Sequence, residues 1–536
     1  MNYPPSHREP EASAPQAFQP LHQARQLLAA KRYQEAHGVC ARAIAGQPDH
    51  ADAYFIMGVI HYEHGDFRKA LDLFKAALGK GHPEPGPHIQ AARCLENLHQ
   101  AKQALSYIES AKQLNPADSF SLASIGATLS RLDRHEDAVE FHRKATQAAP
   151  SDPLNHFNLA AALQFLGDFE GSRNAYRTTL KIAPNFLPAY AHLVQITKQT
   201  AQANDLPTLQ KIWNALQPQD LLGRHEIGHA IAKVHEDLGD VESVMLWLGR
   251  AKEVARRQFP SPPEKIAKLF EHARTLSGSC KPVLHPSTDG PVFVVGLPRT
   301  GTTLVDRIIS SHSTMVSGGE RHEFAGILRL CAGGDSRNLF DPGPVVASQI
   351  QDISSVGESY LDNMRAILGK SGRFTDKMPF NFLLAPSILA AIPSARIVCL
   401  RRHPADSVLS IYRQKFSVNA EHLHCSLGLE SLAHYVAQFH ELVDVFSSTL
   451  PDTRFQVIDY EALVDDAERH IRALLDFCGL EFETACLNFQ DNSAPVATAS
   501  VAQVRQPMYS TSKGRWKKYQ QHLQPALDVL NARNLL

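Results

Sequence analysis

Two patterns of hydrophobic and polar positions divide the chain. Up to about residue 275 the pattern is helical and self-similar, and from residue 291 short β-branched runs alternate with helical stretches. In the first part Pro116, Pro150 and Pro184 stand 34 residues apart, with Pro83 standing 33 before the first of them. Each proline is preceded by a small residue at about 24 positions (Gly58, Ala92, Gly126, Ala160) and by another at about 12 (Ala70, Ala104, Ala138, Ser172). Small residues belong where two antiparallel helices of one unit approach closely, because a large side chain would force them apart. Four positions after the second small residue stand Phe74, Ile108, His142 and Tyr176. A fixed period of this length predicts a helical solenoid.

These units resemble tetratricopeptide repeats, with the strongest match over residues 51 to 184. A degenerate unit covers about 17 to 50 and a diverged hairpin about 222 to 258, while residues 195 to 221 keep helical composition but lose the pattern. One helix pair cannot bury its own apolar face, so stacking alone explains nearly all of these residues. The resemblance implies, beyond stacking, a concave surface that takes a protein or peptide partner.

Residues 276 to 290, rich in Gly, Ser, Pro and Thr, interrupt the helical pattern and are expected to link two domains. Beyond them come PVFVVG, RFTDK, ARIVCLRR and RFQVIDY, each followed by a helical stretch. That alternation predicts a parallel sheet covered by helices. The expected organisation is therefore α followed by α/β: a tail at 1 to 16, repeats over 17 to 275, a linker, and a P-loop-type domain over 291 to 536.

Composition narrows the function classes. The net charge of −1 offers no whole-chain attraction to nucleic acid or anionic membrane, so any anion site must be local. No window reaches eighteen consecutive apolar residues, and the N-terminus lacks a basic segment followed by an apolar one. A cytoplasmic location is expected. The eight cysteines are scattered without a Cys-x-x-Cys pair, which fits neither a disulfide framework nor a thiolate zinc site.

The sharpest motif runs from Pro291 to Leu304, a buried strand passing through a glycine-containing turn into a helix. Successive backbone N–H groups and the positive helix end make a concavity for an anion. Gly296 and Gly301 have the spacing of the nucleotide-hydrolase loop, but Thr302 replaces the lysine that would reach the β- and γ-phosphates, which disfavours ATP hydrolysis. A cation stands inside the loop instead, as Arg299.

Here Pro298, Arg299, Thr300, Gly301, Thr302 and Thr303 match every position of the sulfotransferase loop P-[KR]-[ST]-G-T-[TS]. The resemblance extends over about 291 to 520 and implies 3′-phosphoadenosine 5′-phosphosulfate as donor, with no metal required. It implies that Arg402 and Ser410, eight residues apart after the strand ARIVCL, hold the donor's 3′-phosphate, and that Tyr460 contacts the nucleotide. Ser317-Gly-Gly-Glu320 and Thr375-Asp-Lys-Met-Pro-Phe380 resemble the protein-tyrosine sulfotransferase branch, in which Glu320 would take the acceptor proton and Lys377 would stabilise the transferring sulfuryl group. An arginine two after that glutamate in the branch is His322 here, so acceptor contacts do not carry over. Near the C-terminus, Ser500 would contact the leaving-group oxygen and Arg515 would hold the 3′-phosphate region. With all of these residues beyond 290, the repeats are expected to contribute nothing to the donor site.

Two rival readings remain open: a small-molecule P-loop kinase, and a repeat scaffold with a catalytically silent domain. The acceptor is also open among protein tyrosine, peptide, polysaccharide and small metabolite. His225-Glu-Ile-Gly-His229 literally satisfies H-E-x-x-H, but Gly228 sits in mid-helix and no third ligand follows, so no metal site is expected there.

Overall fold

The computed structural model describes residues 21–279, 289–333, 338–348, 350, 352–369, 372–492, 494, 504–508 and 510–536 of the 536-residue chain. Two compact units result, residues 1–117 and 118–536. The expected linker at 276 to 290 falls largely on 280–288, outside the described residues.

The first unit consists of helical hairpins: His22–Ala29 with Tyr33–Gly46, Ala51–Glu63 with Phe67–Gly79, and Gly86–Asn97 with Ala101–Gln113. Its small positions do what the period implies. A Cβ on Gly58 would lie 2.5 Å from the Phe74 ring, so the helices cross at a distance that only glycine permits. Phe74, Ala70, Ala104 and Ile108 are all fully buried.

The second unit begins with two more repeat hairpins, Ser119–Arg131 with His135–Ala148 and Pro153–Leu166 with Phe169–Ile182. Aspartates start these helices: Asp118, Asp152 and Asp168 each accept a backbone N–H of the first turn, at 2.8 to 2.9 Å. The turn inside each hairpin needs one residue with positive φ. That residue recurs at Lys31, Gly65, His99, Asp133 and Gly167, 34 positions apart each time. After Leu187–Gln195 and Leu206–Ala215 come the hairpin Leu221–Leu238 with Val241–Gln258 and the single helix Pro263–Ser279.

The rest of this unit holds a five-stranded parallel sheet: β1 Val292–Gly296, β2 Met315–Ser317, β3 Arg373–Asp376, β4 Arg396–Arg401 and β5 Phe455–Asp459, in spatial order β2-β3-β1-β4-β5. β2 is too short, and has too little β-branched character, to stand out in the sequence. Continuous apolar runs such as Phe293, Val294, Ile397 and Val398 are wholly buried, as in a sheet covered on both faces. Because β1 lies between β3 and β4, the chain reverses its winding direction there, and a ligand crevice is expected beyond the carboxyl ends of the strands.

Repeat helices 118–279 pack directly on this sheet domain rather than hanging from it. Lys252 donates to the Ser426 carbonyl at 2.8 Å and lies over the Tyr412 ring, His225 meets the Phe416 carbonyl at 2.9 Å, and Phe270 packs edge-on against Tyr435. The pair His225 and His229 belongs to that packing. Both rings are buried, Glu226 is engaged by Lys415 at 2.5 Å, and a Cβ on Gly228 would lie 2.6 Å from that of Ala251. Among the described residues no helix is long and apolar enough to cross a membrane.

Candidate active site at the strand carboxyl ends

Each of the five strands delivers one sequence-predicted residue just past its last position. Arg299 follows β1 by three residues, Glu320 follows β2 by three, and Lys377, Arg402 and Tyr460 immediately follow β3, β4 and β5. A cavity of about 1080 Å³ lies over these ends and contains all five among its lining residues except Lys377, which sits behind Glu320. Nine arginine and lysine side chains line it against the carboxylates Glu236 and Glu320; Asp237 pairs with Lys198 and Lys233 and Glu226 with Lys415 from behind, so the excess of cations is concentrated at Arg299, Arg402 and Arg505.

The turn after β1 is built to present backbone N–H groups. Thr300 folds its hydroxyl onto the Leu297 carbonyl at 2.7 Å, which rigidifies the loop. Gly301 caps the helix Thr302–Ser310 without a capping side chain, leaving its first-turn donors aimed at the cavity. Gly301 has φ of 104° and a Cβ there would lie 2.7 Å from the Tyr460 ring, so only glycine lets loop and ring come together. Pro298, Thr302 and Thr303 line the same concavity.

Arg402 is 7% exposed, donates to the Arg299 carbonyl at 3.0 Å and to the Ser512 carbonyl at 2.5 Å, and stacks over Tyr460 at 4.8 Å. Its Nε is buried with no protein partner among the described residues. Ser410 lines the same side of the cavity. Arg515 is turned towards Glu236 of the repeat helix Leu221–Leu238, at 3.2 Å, and Arg413 engages the same carboxylate. Burial would raise that carboxyl, but Arg413 and then Arg515 outweigh it and hold Glu236 below its ordinary value. Glu236 of a repeat-side helix thus lies beside Arg515 at the cavity lining. Ser500 lies outside the described residues.

Glu320 and Lys377 meet directly as an ion pair, with the lysine 1% exposed and the glutamate at the cavity surface. Two buried carboxyl groups shape the backbone that carries them. Asp306, on the phosphate-loop helix, accepts from Ser317 at 2.9 Å and from the Thr375 hydroxyl, so it ties the ends of β2 and β3 together. Asp376 accepts from the Tyr360 hydroxyl at 2.7 Å and the Met378 N–H at 3.1 Å, fixing the turn at Lys377. Burial pushes the Asp376 carboxyl up to about 7, even though the Tyr360 hydrogen bond opposes the shift. The loop itself is fastened by Gly318 N–H to the Thr375 carbonyl at 2.7 Å and by Lys377 N–H to the Gly319 carbonyl at 2.9 Å.

Several residues of this site carried no readable motif. Asp406 receives the Gly514 and Trp516 N–H groups at 2.6 and 2.9 Å, which seats the C-terminal segment bearing Arg515. Its position inside the stretch from Arg401 to Arg413 was the one available hint. Arg413 ends that same stretch without a role readable from it, whereas Glu236 and the repeat-side lining Phe165, Phe169 and His192 are distant in sequence from these segments, and only the packing of helices 118–279 brings them in.

Residues 291–484 match the sulfotransferase family, and residues 29–111 match anaphase-promoting complex, cyclosome, subunit 3. An uncharacterized protein of Aquifex aeolicus is 28% identical over 322 residues, covering 57% of this chain and 41% of that one. The protein-tyrosine sulfotransferase of Drosophila melanogaster is 22% identical over 244 residues, covering 42% of this chain and 46% of its own length. The chain therefore spans less than half of these two relatives. Among solved structures, the tetratricopeptide-repeat protein YrrB is 21% identical over 31% of this chain and 86% of its own, with a TM-score of 0.26.

Proposed function

We propose that this chain, tetratricopeptide repeats followed by a sulfotransferase-family domain, transfers a sulfuryl group from 3′-phosphoadenosine 5′-phosphosulfate to a hydroxyl or amine group of an acceptor. The observation that carries the reading is the convergence of Arg299, Glu320, Arg402 and Tyr460 from four strand ends on one cavity, with Lys377 from the fifth paired to Glu320 behind it. The loop from Pro298 to Thr303 takes the 5′-phosphate. The unpartnered Arg402 Nε and Ser410 take the 3′-phosphate, with Tyr460 against the base or ribose.

In the transfer, the acceptor oxygen or nitrogen forms a bond to sulfur as the bond from sulfur to the 5′-phosphate oxygen breaks. Glu320 takes the acceptor's proton, and Lys377, released towards the donor, stabilises charge on the sulfuryl oxygens together with Arg299. Adenosine 3′,5′-bisphosphate leaves. Ser500 is a further candidate contact to the leaving oxygen. A protein or peptide tyrosine is the acceptor favoured by the Ser317-to-Glu320 and Asp376-to-Phe380 segments, with the repeats as a surface for the protein that bears it, in the cytoplasm.

Calorimetry tests the donor half. Adenosine 3′,5′-bisphosphate should bind far more tightly than AMP, and Arg402→Ala should remove about 2–3 kcal/mol of that binding by deleting a charge-assisted contact. Equal affinities for the two nucleotides would remove the 3′-site assignment. For the transfer half, Glu320→Gln should lower turnover by about a hundredfold or more while nucleotide affinity stays nearly unchanged. Wild-type turnover by that variant would assign the base to another group.

A further inference from the structure

Two successive repeat turns touch the sheet domain at the same register. The Leu132 carbonyl accepts from Arg321 at 3.3 Å, and 34 residues later the Leu166 carbonyl accepts from Arg505, also at 3.3 Å. Arg321 is the neighbour of Glu320, and Arg505 belongs to the segment 504–508 that lines the cavity. The repeat period is thus matched to the separation of two site elements.

The residue after each carbonyl differs in a way that fits its partner. At the first turn it is Asp133, with φ of 55°, as Lys31 and His99 also adopt at the equivalent position, while glycine stands at Gly65 and Gly167. Aspartate tolerates left-handed φ, so this turn can carry a carboxylate that glycine could not supply. It pairs with Arg321 at 2.8 Å, and Arg321 is 4% exposed. Burial alone would raise the Asp133 carboxyl, yet the Arg321 charge and His135 outweigh it and hold it below its ordinary value. Arg321 in turn donates to the Gly318 carbonyl at 2.9 Å, so the repeat turn grips the Ser317-to-Glu320 loop from outside while Asp306 and Thr375 grip it from within. At the second turn the residue is Gly167, because a Cβ would lie 2.6 Å from the Arg505 guanidinium carbon. There the arginine packs flat on the turn and Val504 packs on Phe169.

We propose that these two turns are positioning elements of the sulfuryl-transfer site: Leu132–Asp133 holds the base loop through Arg321, and Leu166–Gly167 holds the cavity wall 504–508 through Arg505. This rests on the assignment of Glu320 as the base. Neither turn touches the reacting atoms. The repeat array then has a second role beside partner binding, since the donor domain by itself would lack both restraints.

The two grips separate experimentally. In the full-length protein Asp133→Ala should reduce kcat by about ten- to a hundredfold, since misplacing a reacting group by about 1 Å costs that much, while the dissociation constant of adenosine 3′,5′-bisphosphate stays within about twofold. Asp133→Glu should restore most of the rate, because it keeps the charge that meets Arg321. Gly167→Asn, which tolerates positive φ but displaces the guanidinium, should weaken nucleotide binding by about tenfold. A random tyrosine-containing peptide pool with sulfur-labelled donor reports the rate. Amide hydrogen exchange reports the restraint without any acceptor: Asp133→Ala should speed exchange at residues 318–320 and leave residues 303–306 unchanged. If the wild type transfers nothing to the pool, the proposed function fails on that acceptor class and the exchange result still decides the grip. Unchanged exchange in the loop, or a rate and an affinity that fall together in Asp133→Ala, overturns the proposal. Should Asp133→Ala misfold, Asp133→Asn, which keeps the shape and removes the charge, is read in the same way.

Discussion

A fragment beginning at Lys281 should fail to fold cooperatively, whereas one beginning at Asp118 should fold. Removing residues 118–279 strips Phe270 from Phe382 and Tyr435, and Phe259 and Ala255 from Val418 and Leu427. Uncovering four such side chains costs up to about 6–12 kcal/mol at about 1.5–3 kcal/mol each. Arg321 loses Asp133, Arg413 loses Glu236, and the Ser426 and Phe416 carbonyls lose Lys252 and His225. Each orphaned polar group adds about 1–3 kcal/mol where it stays buried. Against a typical domain stability of about 5–15 kcal/mol these losses are decisive. Urea unfolding followed by near-ultraviolet circular dichroism, with adenosine 3′,5′-bisphosphate titrated into each fragment, measures the outcome. A cooperative transition for the shorter fragment at the full-length midpoint, with undiminished nucleotide affinity, would refute the reasoning.

Two further outcomes follow from single side chains. Gly301→Ala should weaken adenosine 3′,5′-bisphosphate binding by about tenfold or more in calorimetry, because the new Cβ meets the Tyr460 ring and the loop has to abandon φ of 104°. Burial pushes the Lys252 ammonium down from 10.5 to about 7, so as pH falls through that window the unfolded chain takes up a proton that the folded chain refuses. Stability is therefore lost from pH 10.5 down to 7, with a ceiling of about 5 kcal/mol. Lys252→Met should gain on the wild type as pH falls from 10 to 7 in paired thermal melts, and a difference that does not change with pH would place the charge elsewhere.

The 34-residue period and the identity of the residue just past each strand were legible from the chain alone. Gly58 facing Phe74 follows from the 34-residue spacing, since closely crossing helices need a small residue wherever they occur. The loop Pro298–Thr303 and the Arg402 segment were legible because each is made by contiguous residues at a strand end: a turn, a helix start and one cation. Glu320 and Lys377 were named from local motifs, but their contact came from β2 lying beside β3, which no spacing along the chain encodes. β2 itself escaped notice, since three residues hold too little pattern. Only the tertiary structure decided where one unit ends and the next begins. The contact of helices 118–279 with the sheet domain is set by which faces bury one another, as where Phe270 meets Tyr435, and local composition does not encode that. Asp133 and Arg321 are 188 residues apart and neither sits in a motif. A pair of charges becomes specific only when folding removes water from around both, and that event depends on the whole surface that closes over them.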